Sequence, residues 1–106
     1  MTTDPRDVLI ATARAMNDSG LNRGTSGNLS LRHDDGMLIT PSGVPYEELG
    51  PEDIVYIDAR GTDGDGLQPS SEWRFHHDIY HARPEARAIL HAHPVHCTAL
   101  ALSLIH

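Results

Sequence analysis

His91 and His93 stand one residue apart near the end of the chain. On a strand, side chains at i and i+2 face the same way. Two imidazoles are then presented side by side, which suits neighbouring positions on a tetrahedral or five-coordinate zinc. The same spacing also describes a strand with two surface histidines. The apolar flanks Ile89, Leu90 and Val95 weigh against that reading, because burying imidazoles without partners is costly.

Three short polar segments could hold an anion. In Pro69-Ser70-Ser71-Glu72, two hydroxyls and a carboxylate sit at an expected helix start. Hydroxyls and open backbone N–H groups there can bind phosphate, with the helix dipole adding to the attraction. Ser-Ser-Glu is equally what an ordinary helix cap looks like. In Gly24-Thr25-Ser26-Gly27-Asn28, glycines allow N–H groups to converge while Thr25, Ser26 and Asn28 add donors. It lacks the lysine and spacing of a phosphate-binding P-loop and also reads as a helix-to-strand turn. Thr40-Pro41-Ser42-Gly43 is the third small polar segment, or a plain turn.

The elements that must position these residues follow from pattern. A helix is expected from Asp4 to about Ser19, capped by Asp4 with Pro5 at its first position, carrying an apolar stripe of Val8, Ala11, Ala15 and Met16, and ended by Gly20. Asn28–His33 and Met37–Thr40 read as strands joined by a hairpin turn at Asp34-Asp35-Gly36. Pro41–Pro45 is a loop, Ile54–Asp58 a third strand, and Arg60–Gly66 an exposed loop or hairpin. A helix from Ser70 to about Arg83 precedes a short buried strand, Ala88–His93, and a last helix from Val95 to about Leu104. The order implies an α/β domain whose sheet is largely antiparallel at its start.

Bulk properties narrow the function classes. The 106 residues suffice for one domain, and a hydrophobic fraction of 39% beside a charged fraction of 22% suits a globular chain. A net charge of -7 disfavours nucleic acid as a partner. No apolar run reaches the roughly 20 residues of a spanning helix, so no membrane partner is expected, and the N-terminus shows no export signal. The single cysteine, Cys97, excludes an intrachain disulfide, fits a reducing cytoplasm and reads as a small buried apolar residue. Eight histidines are many for this length. Outside the His91/His93 pair, His76, His77, His81 and His96 are taken as structural or surface residues, and Trp73, Phe75 and Tyr80 as helix packing. The final helix ends uncapped and apolar at Ser103-Leu104-Ile105-His106, which suggests a truncated chain.

Four ordered runs carry a resemblance: Gly24–Asn28, Ile39–Tyr46, Pro69–His76 and His91–Ala99. Together they resemble the class II aldolase/adducin family across essentially the whole chain. The resemblance implies a three-layer α-β-α sandwich with a mainly antiparallel central sheet, of which residues 1–106 would be the N-terminal portion of a single domain. It implies that Glu72, His91 and His93 bind zinc, that Glu72 is also the general acid/base, and that Gly27, Asn28, Ser42, Gly43, Ser70 and Ser71 bind the substrate phosphate, with Thr25 assisting. A third zinc histidine comes from a later segment in the family, past the end of this chain; His106 matches no such motif.

The activity implied is zinc-dependent cleavage of a small phosphorylated sugar, a ketose 1-phosphate of the L-fuculose 1-phosphate type, to dihydroxyacetone phosphate and a small aldehyde. The full-length form is expected to be a cytoplasmic homotetramer, and the 106-residue chain alone to be weak in zinc binding and activity. Epimerisation of a sugar phosphate would use the same residues. A non-catalytic adducin-like module is the other alternative, which Glu72, His91 and His93 argue against. A histidine-rich metal store fits poorly with the donor-rich framework around the histidines.

Overall fold

The structure is a computed structural model, and it describes residues 4–20, 27–61 and 68–91. Helix α1 spans Pro5–Asp18, strand β1 Asn28–His33, β2 Gly36–Ile39 and β3 Val55–Ile57; helix α2 spans Trp73–Ala82 and β4 Ala88–His91. Two single 3-10 turns, Tyr46–Glu48 and Pro51–Asp53, lie between β2 and β3.

Helix α1 begins as its sequence dictates. Asp4 accepts the Arg6 backbone N–H at 2.9 Å, and Pro5 takes the first position. It ends at Gly20, whose φ of +80° is the left-handed conformation that a Cβ disfavours. The buried stripe, however, is Leu9, Ile10, Ala13 and Met16. Val8, Ala11 and Ala15 face outward, correcting the expected phase. The large side chains Leu9 and Ile10 decide which face goes inward, since an alanine loses little by exposure.

The four strands form one sheet in the order β3-β2-β1-β4, with every pairing antiparallel. β1 and β2 meet in a hairpin whose last pair is His33 with Gly36; Asp34 adopts φ 50° in the turn. Gly36 is required by close approach: a Cβ there would lie 2.0 Å from the Ile57 carbonyl oxygen on β3.

Alternation along the strands feeds two cores. Leu29 and Leu38, with partly buried Leu31 and Tyr56, face α1 and join Leu9, Ile10, Ala13, Met16, Tyr46, Leu49 and Ile54. Met37, Ile39, Val55 and Ile57 face the other way, against Tyr80 of α2 with Trp73, Ala86 and Ile89 alongside. The result is the expected α-β-α layering. Two arginines tie the layers. Arg14 donates to the Tyr46 and Leu49 carbonyls at 3.2 and 3.0 Å. Arg32 donates to the Ala86, Tyr80 and Arg83 carbonyls at 2.7, 2.9 and 3.1 Å and thereby caps the end of α2.

Two further expectations need correction. α2 starts at Trp73, leaving Ser70, Ser71 and Glu72 in the preceding turn. β4 is not a buried strand: it lies at the edge of the sheet among the described residues, with Leu90 50% exposed. The expected last helix and most of the Arg60–Gly66 loop lie outside the described residues.

Candidate active site

One end of the sheet collects the chemistry. The β1–β4 register places Asn28 opposite His91. On the other side of β1, the Thr40 N–H donates to the Leu29 carbonyl at 3.1 Å, and the Thr40 hydroxyl accepts the Leu29 N–H at 3.3 Å. Pro41 then bridges to Pro69, flanked by Ser70 N–H to Thr40 O at 3.0 Å and Ser42 N–H to Gln68 O at 2.9 Å. Backbone hydrogen bonds therefore draw the segments at residues 27–29, 40–43 and 68–72 together with His91. Gly27, Asn28 and Ser70 are buried there, while Ser42, Gly43 and Ser71 are exposed; Gly43 holds φ +73°.

Glu72 sits just before α2 but does not cap it, as no cap bond is made by its side chain. Its carboxylate instead accepts from the Asn28 side-chain amide at 3.1 Å and meets the His91 imidazole at Nδ1. The ordinary cap reading of Ser70-Ser71-Glu72 is thus set aside at Glu72. Ser70 retains a local role, its hydroxyl accepting the Glu72 N–H at 3.4 Å. Residues 44 and 19 positions apart in sequence converge on one half-buried carboxylate.

The residue that sequence reasoning undervalued is His76. It is fully buried, with 0% exposure, and bonded on both ring nitrogens: Nε2 to the Asn28 side-chain oxygen and Nδ1 to the Ser30 hydroxyl at 2.6 Å. Ser30 in turn meets the Tyr80 hydroxyl at 2.9 Å. Burial, followed by the neighbouring His91, pushes the His76 pKa down to about 4, against a smaller opposing pull from Glu72. Near neutral pH the ring is uncharged. Burial also raises the Tyr80 hydroxyl above its usual value. The missed signal was spacing: Glu72, His76 and Tyr80 recur every fourth residue on one helical face, opposite Asn28 and Ser30 on one strand face.

The remaining aromatic and histidine readings divide. Trp73 packs against the core as expected, whereas Tyr80 adds a polar link to its packing role. Phe75 is 56% exposed and does not pack inward; its ring lies 6.3 Å from that of His76 and 6.0 Å from that of His91. His77 and His81 contact the Ala59 carbonyl at 3.0 and 3.1 Å, away from Glu72. Thr25, His93, His96 and Cys97 lie outside the described residues. Among the described residues no group of three or more metal-binding side chains forms; Glu72 and His91 are the pair brought together. A carboxylate and an imidazole are a donor set that zinc accepts, so the residues present fit that metal.

Comparison with known proteins gives the family of the chain. The model of the class II aldolase and adducin N-terminal domain matches residues 7–105. The chain is 53% identical over 94 residues to an L-fuculose phosphate aldolase of Escherichia coli K12, covering 89% of this chain but 44% of that relative. It is 52% identical over 96 residues to a 5-methylthioribulose-1-phosphate/5-deoxyribulose-1-phosphate aldolase of Escherichia coli O45:K1, covering 91% of this chain and 45% of the relative. A solved L-fuculose 1-phosphate aldolase superposes with a TM-score of 0.86 at 38% identity, over 95% of this chain and 49% of that one. The chain therefore spans less than half the length of the curated relatives it matches.

Proposed function

The chain belongs to the class II aldolase and adducin family, and from that premise we propose that the whole protein is a zinc-dependent aldolase cleaving a ketose 1-phosphate to dihydroxyacetone phosphate and a small aldehyde. The observation that carries the reading is the Glu72 carboxylate, held between the Asn28 amide and the His91 imidazole. A structural module has no use for a carboxylate so arranged.

Glu72 and His91 would hold the metal with His93. Bound zinc supplies Lewis-acid stabilisation of the negative charge that carbon–carbon cleavage leaves on the substrate. Glu72 is the proton carrier, moving a proton to or from the carbon released by the departing aldehyde. Gly27, Asn28, Ser42, Gly43, Ser70 and Ser71 form the phosphate cradle. Such a cradle binds an anion through hydroxyls and backbone N–H groups even on an acidic chain, with the Ser42 and Ser70 N–H groups instead holding the segments together. The hydrogen bonds joining the segments at 40–43 and 68–72 support this grouping.

The substrate class is a short phosphorylated ketose of the L-fuculose 1-phosphate type. The near-equal identity to the methylthioribulose-phosphate aldolase makes a 5-substituted ribulose 1-phosphate the second reading. Our proposal for the whole protein is a cytoplasmic homotetramer; the single cysteine among these 106 residues is compatible with a reducing compartment. Among the described residues no helix is long and apolar enough to cross a membrane.

The test is product analysis on the full-length protein, supplied in parallel with L-fuculose 1-phosphate and 5-methylthioribulose 1-phosphate. Release of dihydroxyacetone phosphate from either sugar, lost in Glu72→Gln, supports an aldolase and identifies its substrate. Zinc binding with isomerisation and no triose phosphate would replace cleavage by epimerisation.

A further inference from the structure

We infer that His76 is a positioning residue: as the Nε2–H tautomer it fixes the Asn28 amide so that its NH2 group faces Glu72. This deepens the reading of Glu72 as the proton carrier and rests on it for its catalytic consequence, though not for its geometry.

The direction of each hydrogen bond follows from the chemistry of its partners. An ionised carboxylate only accepts, so Asn28 must turn its nitrogen toward Glu72, as the 3.1 Å contact has it. A flipped amide would set a carbonyl against the carboxylate. The Asn28 oxygen is then left facing His76 Nε2, which must carry the hydrogen. An uncharged imidazole has one N–H only, so Nδ1 is an acceptor and the Ser30 hydroxyl donates to it at 2.6 Å. Having spent its proton there, the Ser30 oxygen accepts from the Tyr80 hydroxyl at 2.9 Å.

Every donor in this chain points the same way, from the Tyr80 hydroxyl to the Glu72 carboxylate. At its far end His91 meets the same carboxylate directly. Asn28, Ser30, His76 and Tyr80 are all buried, so each link has few alternative partners. In this arrangement the Nε2–H of one imidazole, with Ser30 donating to its other nitrogen, holds the Asn28 amide with its NH2 end toward the carboxylate. Glu72 is held by donors of fixed polarity, independently of the substrate. A buried histidine that merely fills space would leave the Asn28 orientation unchanged when replaced by an apolar residue of similar size.

The first measurement needs no substitution. Full-length, zinc-free protein labelled with 15N-histidine and 15N-asparagine is examined by long-range 1H–15N correlation at neutral pH. A protonated Nε2 and bare Nδ1 at His76 are expected; a protonated Nδ1 overturns the inference. The second compares His76→Leu with His76→Gln, which restores a donor near the Nε2 position. The Asn28 amide resonances should move in His76→Leu and return toward wild type in His76→Gln. In the zinc-loaded enzyme, kcat should fall roughly 10- to 100-fold in His76→Leu, the loss typical of outer partners of a metal ligand, with KM little changed and partial recovery in His76→Gln. Unmoved Asn28 resonances, or an unchanged kcat in folded His76→Leu, overturn it. If Glu72→Gln proves active while the tautomer and Asn28 shifts are as expected, the proton-carrier reading of Glu72 fails and the positioning geometry stands.

Discussion

The two faces of the sheet are built from the same strands and do different work. The face under α1 is apolar: Leu29 and Leu38 meet Leu9, Ile10, Ala13 and Met16. The face under α2 is apolar only toward β3, where Met37, Ile39, Val55 and Ile57 meet Tyr80. Toward β4 it turns polar and carries Ser30, His76 and Asn28 as a hydrogen-bonded row that ends at Glu72 and His91. Because strand side chains alternate, one residue's step along β1, from Leu29 to Ser30, passes from one regime to the other. The α1 face supplies burial and rigidity. The α2 face spends part of its burial on polar groups whose partners must be exact, and that requirement gives Glu72 a defined environment.

The largest effect expected from breaking this division is on activity. Glu72→Gln, which removes the carboxylate at the end of the polar row, should lower kcat on the order of 10² to 10⁴-fold with little change in unfolding midpoint. Turnover and thermal unfolding of the full-length protein, measured together, check this. Leu38→Ala on the α1 face should do the reverse. Leu38 is fully buried, so about 2–5 kcal/mol of stability should be lost, with turnover per folded molecule preserved; denaturant titration measures the loss.

Ser30→Ala sits on the boundary and should affect both. Leaving the buried His76 and Tyr80 without their shared partner should cost about 1–3 kcal/mol and lower kcat as well. An unchanged kcat would place the polar row outside catalysis. The last expected effect is on pH dependence and is confined to acid conditions. His76 titrates at about 4 in the fold against 6.5 ordinarily, so the unfolded chain takes up the proton first as pH falls. The contribution of this group is complete above about pH 6.5 and is lost progressively toward about pH 4. Unfolding free energy plotted against pH should therefore slope more steeply between those values in wild type than in His76→Gln.

The same division explains what could be read from the sequence. Local signals identified what local physics decides: the Asp4 cap and Pro5 start of α1, its stop at Gly20, and the turn at Asp34-Asp35 were all legible. The family resemblance pointed to Glu72 and His91, which the fold brings into contact. The phase of α1 was not legible, because alanines fit either face and only the packed sheet selects Leu9 and Ile10. Nor was the role of His76: its partners Asn28 and Ser30 lie 48 and 46 residues away, and burial of an imidazole is decided by tertiary packing alone. Ser70-Ser71-Glu72 had two sound local readings, and what draws the Glu72 side chain away from capping is Asn28 and His91, which lie outside that segment.

The most direct test of the site at the end of the polar row is metal dependence of the full-length protein. Chelator-treated enzyme should be inactive and recover turnover with about one zinc per subunit, while His91→Ala should neither hold that zinc at comparable concentration nor recover. Full cleavage by metal-free protein, or zinc retained unchanged in His91→Ala, would contradict the assignment of Glu72 and His91 as a metal-binding pair.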